Sequence, residues 1–136
     1  MSLGIILAVF VAGALGSGMR YWLAGKWPAK LGQVPRGLLI ANLSGSALAG
    51  VFFAMSILVL IPRSWLQVLI AGFCGGLTTL SAWAIDVVRA AETNDRRLAV
   101  RNLLWTVLGS VLLFAATMLL TLWVAVGIFA VIMDGS

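Results

Sequence analysis

The chain has 136 residues, 62% of them hydrophobic and 10% charged, with a formal net charge of +5 and a mean hydropathy of +1.13. A soluble domain carries about 45–50% apolar and about 25% charged residues, so this composition marks an integral membrane protein with no room for a soluble domain beside its spans. With no histidine and a single cysteine the sequence offers neither a metal cluster nor a disulfide framework, and its scattered cations form no basic polar face for nucleic acid.

The first apolar span is expected over residues 3–23. Its basic residue, Arg20, follows the apolar run where a signal peptide would place it before, so the span is read as retained. Ala12, Gly13, Gly16 and Ser17 fall on one stripe, and small residues let helices approach closely in lipid. Arg20 lies three or four residues before the span's end, where a long cationic side chain snorkels to the interface. Lys26, Pro28 and Lys30 then mark a loop.

The second span is expected over residues 37–60, entered through Pro35. Asn42 lies deep within it, one turn before Ser46. An amide in hydrocarbon must bond across helices or face water, and the residue alone leaves interhelical bonding and pore lining equally open. Gly45 and Ala49, like Ser46 and Gly50, repeat the small-residue spacing. Pro62 and Arg63 form a short turn, so the second and third spans are antiparallel neighbours.

The third span, residues 65–88, contains Gly72-Phe73-Cys74-Gly75-Gly76-Leu77-Thr78-Thr79-Leu80-Ser81-Ala82-Trp83. Glycines permit positive φ, and an unwound break is expected over residues 75–79. Irregular backbone survives at membrane depth only when buried in protein or lining a wet cavity, so a break there points to an ion. Freed carbonyls favour a hard cation, whereas freed N–H groups and hydroxyls favour an anion. Trp83, in the deep half of this span, needs a partner for its indole N–H. Asp86 is placed to pair with Arg89 at i+3. A polar loop is expected over residues 89–101. The fourth span, residues 102–133, exceeds a straight crossing of about 30 Å and carries Ser110. No base stands near a nucleophile and no acidic pair lies in the bilayer, which excludes most enzymes, and the chain is not expected to be one.

Four crossings put both termini on one side with Arg63. The other side holds Lys26, Lys30, Arg36, Arg89, Arg96, Arg97 and Arg101, a bias of seven against one. By the positive-inside rule both termini face out of the cytoplasm.

Gly13-x-x-Gly16-x-x-x-Arg20-Tyr21, Pro35-Arg36-Gly37-Leu38-Leu39-Ile40-Ala41-Asn42-Leu43-Ser44-Gly45 and Gly72-Phe73-Cys74-Gly75-Gly76-Leu77-Thr78-Thr79 together resemble the Fluc (CrcB) family of small fluoride channels. The resemblance covers nearly the whole chain. It implies an all-α membrane protein of four transmembrane helices, the third broken at its centre. The assembly it implies is an antiparallel dimer with two pores, in a bacterial inner membrane. It implies passive fluoride export, and a structural sodium ion at the dimer centre held by the carbonyls of Gly75 and Thr78. Asn42 would lie beside the fluoride path. Ser110 and Thr79 or Ser81 would supply hydroxyls along it, and Arg20 would stand near a pore mouth.

The chain departs from the family where Thr-Phe-Ser-Thr-Phe becomes Thr79-Leu80-Ser81-Ala82-Trp83. Aromatic edges carry positive potential. Leu80 offers none, while Trp83 keeps an edge and adds a donor. Either the chain conducts through an altered filter as a homodimer, or it is a degenerate subunit of a heterodimer with an oppositely oriented homologue. The seven-to-one bias fits the second arrangement. A proton-coupled multidrug-type transporter would need a membrane-embedded glutamate in the first span, and residues 3–23 contain no acid.

Overall fold

The computed structural model describes residues 2–28, 33–92 and 95–134; Lys30 lies outside the described residues. Every element described is helical: α1 (Leu3–Lys26), α2 (Arg36–Ile57), α3 (Arg63–Gln67), a π-helical segment (Val68–Cys74), α4 (Gly75–Leu77), α5 (Leu80–Glu92) and α6 (Arg96–Asp134). Four stretches are long and apolar enough to cross a membrane: Leu3–Lys26, Arg36–Ile57, Arg63–Ala90 and Arg96–Asp134. The last has 39 residues. At 1.5 Å per residue it is about 58 Å long, nearly twice a hydrocarbon core. It begins at Arg96, six residues before the expected start at 102, because Asp95 caps it: the Leu98 N–H donates to Asp95 Oδ1 at 3.0 Å.

Local chemistry sets the other ends. Lys26 sits in the last turn of α1, where a cation complements the helix dipole. Its ammonium lies 4.7 Å from the Trp22 ring centroid and 4.9 Å from that of Trp27. After α2 the chain reverses through Val59, whose φ of 59° is left-handed. Val59 N–H donates to the Ser56 carbonyl and Leu60 N–H to the Met55 carbonyl, the bonding pattern that usually ends in glycine.

Apolar burial within the chain is slight. Leu77 is the one large side chain fully buried among the described residues. Packing runs through small residues instead, as lipid gives no hydrophobic drive to helix association. A Cβ on Gly16 would overlap the Phe73 carbonyl oxygen, and one on Gly76 would overlap that of Gly13. Thus α1 lies backbone to backbone on the π-helical segment and α4. On the other side of the bundle α2 packs along α6. There the Thr117 hydroxyl donates to the Ala47 carbonyl at 2.9 Å.

The third span changes partners along its length. Its first part packs on α1, whereas α5 packs on α6. The change falls at Thr78 and Thr79, which are not helical; Thr78 is extended, at φ −81° and ψ 153°. Unwinding expected over residues 75–79 is confined to these two threonines. Gly75 has helical φ and ψ (−63°, −38°), and Gly76 lies within α4. Gly72 and Gly76 are needed for the close approach of α1, and no glycine here supplies a positive φ.

Candidate functional site

Asn42 holds the two-residue interruption. Its Oδ1 accepts the Thr79 N–H at 2.8 Å, and its Nδ2 donates to the Thr79 carbonyl at 3.4 Å. Both residues are buried. A buried N–H without a partner is costly, so a primary amide from α2, which presents both acceptor and donor, is suited to an open turn of backbone. Thr79 is also the N-cap of α5: the Ala82 N–H donates to Thr79 Oγ1 at 3.3 Å. Thr78 satisfies itself on the preceding turn, its N–H and hydroxyl both donating to the Cys74 carbonyl, at 2.9 and 3.0 Å.

These bonds redirect two donors. A continuous helix would send the Thr79 N–H to the Gly75 carbonyl and the Ala82 N–H to the Thr78 carbonyl. Here they go to Asn42 Oδ1 and Thr79 Oγ1. The carbonyls of Gly75 and Thr78 are therefore released from those rungs. Carbonyl oxygens are what a hard cation takes. Among the described residues no group of three or more His, Cys, Asp or Glu is placed to hold a metal.

Beside the interruption lies a cavity of about 320 Å³ between α2, α5 and α6. Its polar lining is Asn42, Ser46, Thr78, Thr79, Thr106 and Ser110; Leu80, Trp83, Val107 and Val111 complete it. Among the described residues no charged side chain lines it. The Ser46 and Ser110 hydroxyls make no hydrogen bond among the described residues. Trp83 Nε1 is buried and without a partner among the described residues, although an indole at this depth needs one. The start of α5 faces the same place, and a helix N-terminus carries roughly half a positive charge. Neutral donors, a positive helix end and no carboxylate make a lining that suits a small anion.

Of the residues singled out in the sequence, Asn42, Thr78, Thr79, Leu80, Trp83 and Ser110 meet at this cavity. Ser81, Gly75 and Arg20 do not line it. Ser81 is exposed at the edge of α5, its hydroxyl 3.4 Å from that of Thr79. Gly75 is exposed on the outer side of α4, and Arg20 is half-buried on α1. Thr106 and Ser46 line the cavity but drew no functional expectation. Asn102, Thr106 and Ser110 recur every four residues, a polar stripe that would have marked this face of α6. Thr106 donates to Asn102 Oδ1 at 3.3 Å, and both are buried.

Residues 7–119 match a family model described as "CrcB-like protein, Camphor Resistance (CrcB)". The chain is 32% identical over 123 residues to a protein of Serratia proteamaculans named "Fluoride-specific ion channel FluC", covering 90% of this chain and 97% of that one. A protein of the same name from Azotobacter vinelandii is 36% identical over 124 residues, covering 88% and 98%. One from Rhodospirillum rubrum is 37% identical over 105 residues, covering 74% and 81%.

Proposed function

The chain belongs to the CrcB-like family, whose relatives are ion channels and not enzymes, and from that premise we propose that it is a multi-pass membrane protein that passes fluoride passively. The observation that carries this is the cavity beside Asn42 and Thr79. It is lined by neutral donors, lies at the N-terminus of α5 and contains no carboxylate. Fluoride is small and holds its water tightly, so close N–H and O–H donors must replace that water. Asn42, Thr79, Ser110 and the free indole N–H of Trp83 offer such donors.

The proposed assembly is a pair of oppositely oriented protomers with two pores. The interruption at Thr78–Thr79 is the proposed break of the third helix, and the pair meets there. Leu80 is 75% exposed beside the cavity, and Gly75 is exposed one turn away, so the face awaits a covering surface. A structural sodium ion fits that meeting point, held by the released carbonyls of Gly75 and Thr78. Its chemistry is charge neutralisation between facing carbonyls. Arg20 and Ser81 belong to the path only at its approaches. The inner membrane of a bacterium is the proposed location.

A second reading is a degenerate subunit that conducts only with an oppositely inserted homologue. Two features favour it: Leu80, which has no aromatic edge, and the seven-to-one distribution of cations, which favours one orientation. Mapping tagged termini in cells separates the two. An even two-way distribution supports a homodimer, and a single orientation supports the heterodimer.

The test of function is fluoride release from liposomes containing the purified protein, started by a potassium ionophore. Passive, electrogenic release supports the channel. Release restored only by a co-expressed homologue supports the degenerate subunit. Transport driven by a proton gradient would overturn both.

A further inference from the structure

A second concavity, of about 740 Å³, lies on α6 and shares no residue with the cavity beside Asn42. At its head stand Arg96, Arg97 and Arg101. Its floor is Val100, Leu104, Leu108 and Leu112, successive residues four apart on one stripe of the helix. Trp105 lies along it, 61% exposed. An adjoining cavity shares Arg101 and Trp105 and brings in Arg36, so four cations gather at this end.

These cations are not neutralised by any of the described residues. None of Arg36, Arg96, Arg97 and Arg101 pairs with a carboxylate among the described residues. Asp95, the nearest acid in sequence, spends Oδ1 on the Leu98 N–H. Arg96 and Arg97 also occupy the first turn of α6, where the helix dipole opposes a positive charge. An anion at this spot relieves both the mutual repulsion and the opposition of the dipole.

The floor has the dimensions of a single leaflet. Val100 and Leu112 stand twelve positions apart, a rise of about 18 Å, against about 15 Å for half a hydrocarbon core. A free inorganic anion would use the arginines and leave the trough empty. A second copy of this chain carries +5 and only four carboxylates, so it meets the patch with like charge. A molecule with an anionic head and an apolar tail of one-leaflet length uses the whole surface.

We propose that this trough is a binding site for an anionic phospholipid. The phosphate sits among Arg96, Arg97 and Arg101, and an acyl chain lies along Val100, Leu104, Leu108 and Leu112. Clustered cations at the edge of a span draw anionic headgroups to it. The site is independent of which ion the protein passes.

The test uses the intact protein in phosphatidylcholine vesicles containing a small fraction of lipid brominated on its chains. Bromine quenches tryptophan at contact. The contribution of Trp105 is the difference between the unsubstituted protein and Trp105→Phe. Brominated phosphatidylglycerol is expected to quench Trp105 roughly threefold or more strongly than brominated phosphatidylcholine at equal fraction. In Arg96→Gln/Arg97→Gln/Arg101→Gln the two lipids should quench equally. Equal quenching in the unsubstituted protein would mean ordinary lipid contact and overturn the site. Quenching by neither lipid would mean that a second copy covers the trough, and would overturn it too. A preference that survives in the triple variant would remove the arginines from it.

Discussion

Asn42 grips Thr79 at both ends of one peptide unit pair: Oδ1 takes the N–H at 2.8 Å and Nδ2 reaches the carbonyl at 3.4 Å. One side chain of α2 thus holds open the place where the third span leaves α1 and joins α6. Asn42→Ala strands a buried N–H, which costs about 1–3 kcal/mol. Thermal unfolding in detergent should show that loss, and fluoride release should fall at least tenfold, about 1.4 kcal/mol on the barrier.

Trp83 Nε1 has no partner among the described residues. Trp83→Phe removes an unsatisfied donor and keeps the ring. Without fluoride the variant should be as stable as the parent or more so, by about 1 kcal/mol. Added fluoride should stabilise the parent more than the variant. Thermal shifts across a fluoride titration check this, and identical shifts would take the indole out of the path.

Leu80 lines the cavity and is exposed. Leu80→Phe gives that position an aromatic edge of positive potential. Fluoride release from liposomes should rise severalfold. An unchanged rate would make the position silent on this chain.

Gly16 and Gly76 let α1 and the third span touch along their backbones. Gly76→Ala forces the two apart at a cost of about 1–3 kcal/mol. Gly18→Ala, where nothing lies within 4 Å, is the control and should lose no stability, gaining at most about 0.5–1 kcal/mol from the lower freedom of alanine. The thermal midpoints of the two variants, measured side by side, give the comparison.

Val59 occupies a left-handed position at φ 59°, which costs a residue with a Cβ about 1–2 kcal/mol. Val59→Gly should stabilise the protein by about 0.5–1 kcal/mol, after the greater freedom of glycine in the unfolded chain is counted.

Four spans are legible from the sequence because hydrophobic runs are bounded by prolines and cations at Pro28, Pro35, Pro62 and Arg89. Asn42 is legible because an amide in hydrocarbon must find a partner. The place of the interruption is not. Gly75 and Gly76 look like the flexible residues, yet both stay helical, and what Gly76 provides is contact with Gly13, some sixty residues earlier. Local reading weighs glycine as a breaker and does not see the helix lying on it. The two threonines leave the helix because Asn42 and Thr79 itself supply bonds that compete with the helical rungs. Thr106 escaped notice because a threonine can satisfy its hydroxyl on its own helix, so its residue type says little about which way it faces. The early start of α6 rests on the Asp95 cap, which sits inside a polar segment whose composition reads as loop.

Fluoride release from liposomes, compared between the parent and Asn42→Asp, tests most directly whether the cavity beside Thr79 is the path. Aspartate keeps an acceptor for the Thr79 N–H and so keeps the interruption, but it removes the donor and places a negative charge in the cavity. The parent should empty its vesicles quickly, and the variant should release fluoride no faster than vesicles without protein. Equal rates for the two would contradict a fluoride path at this site.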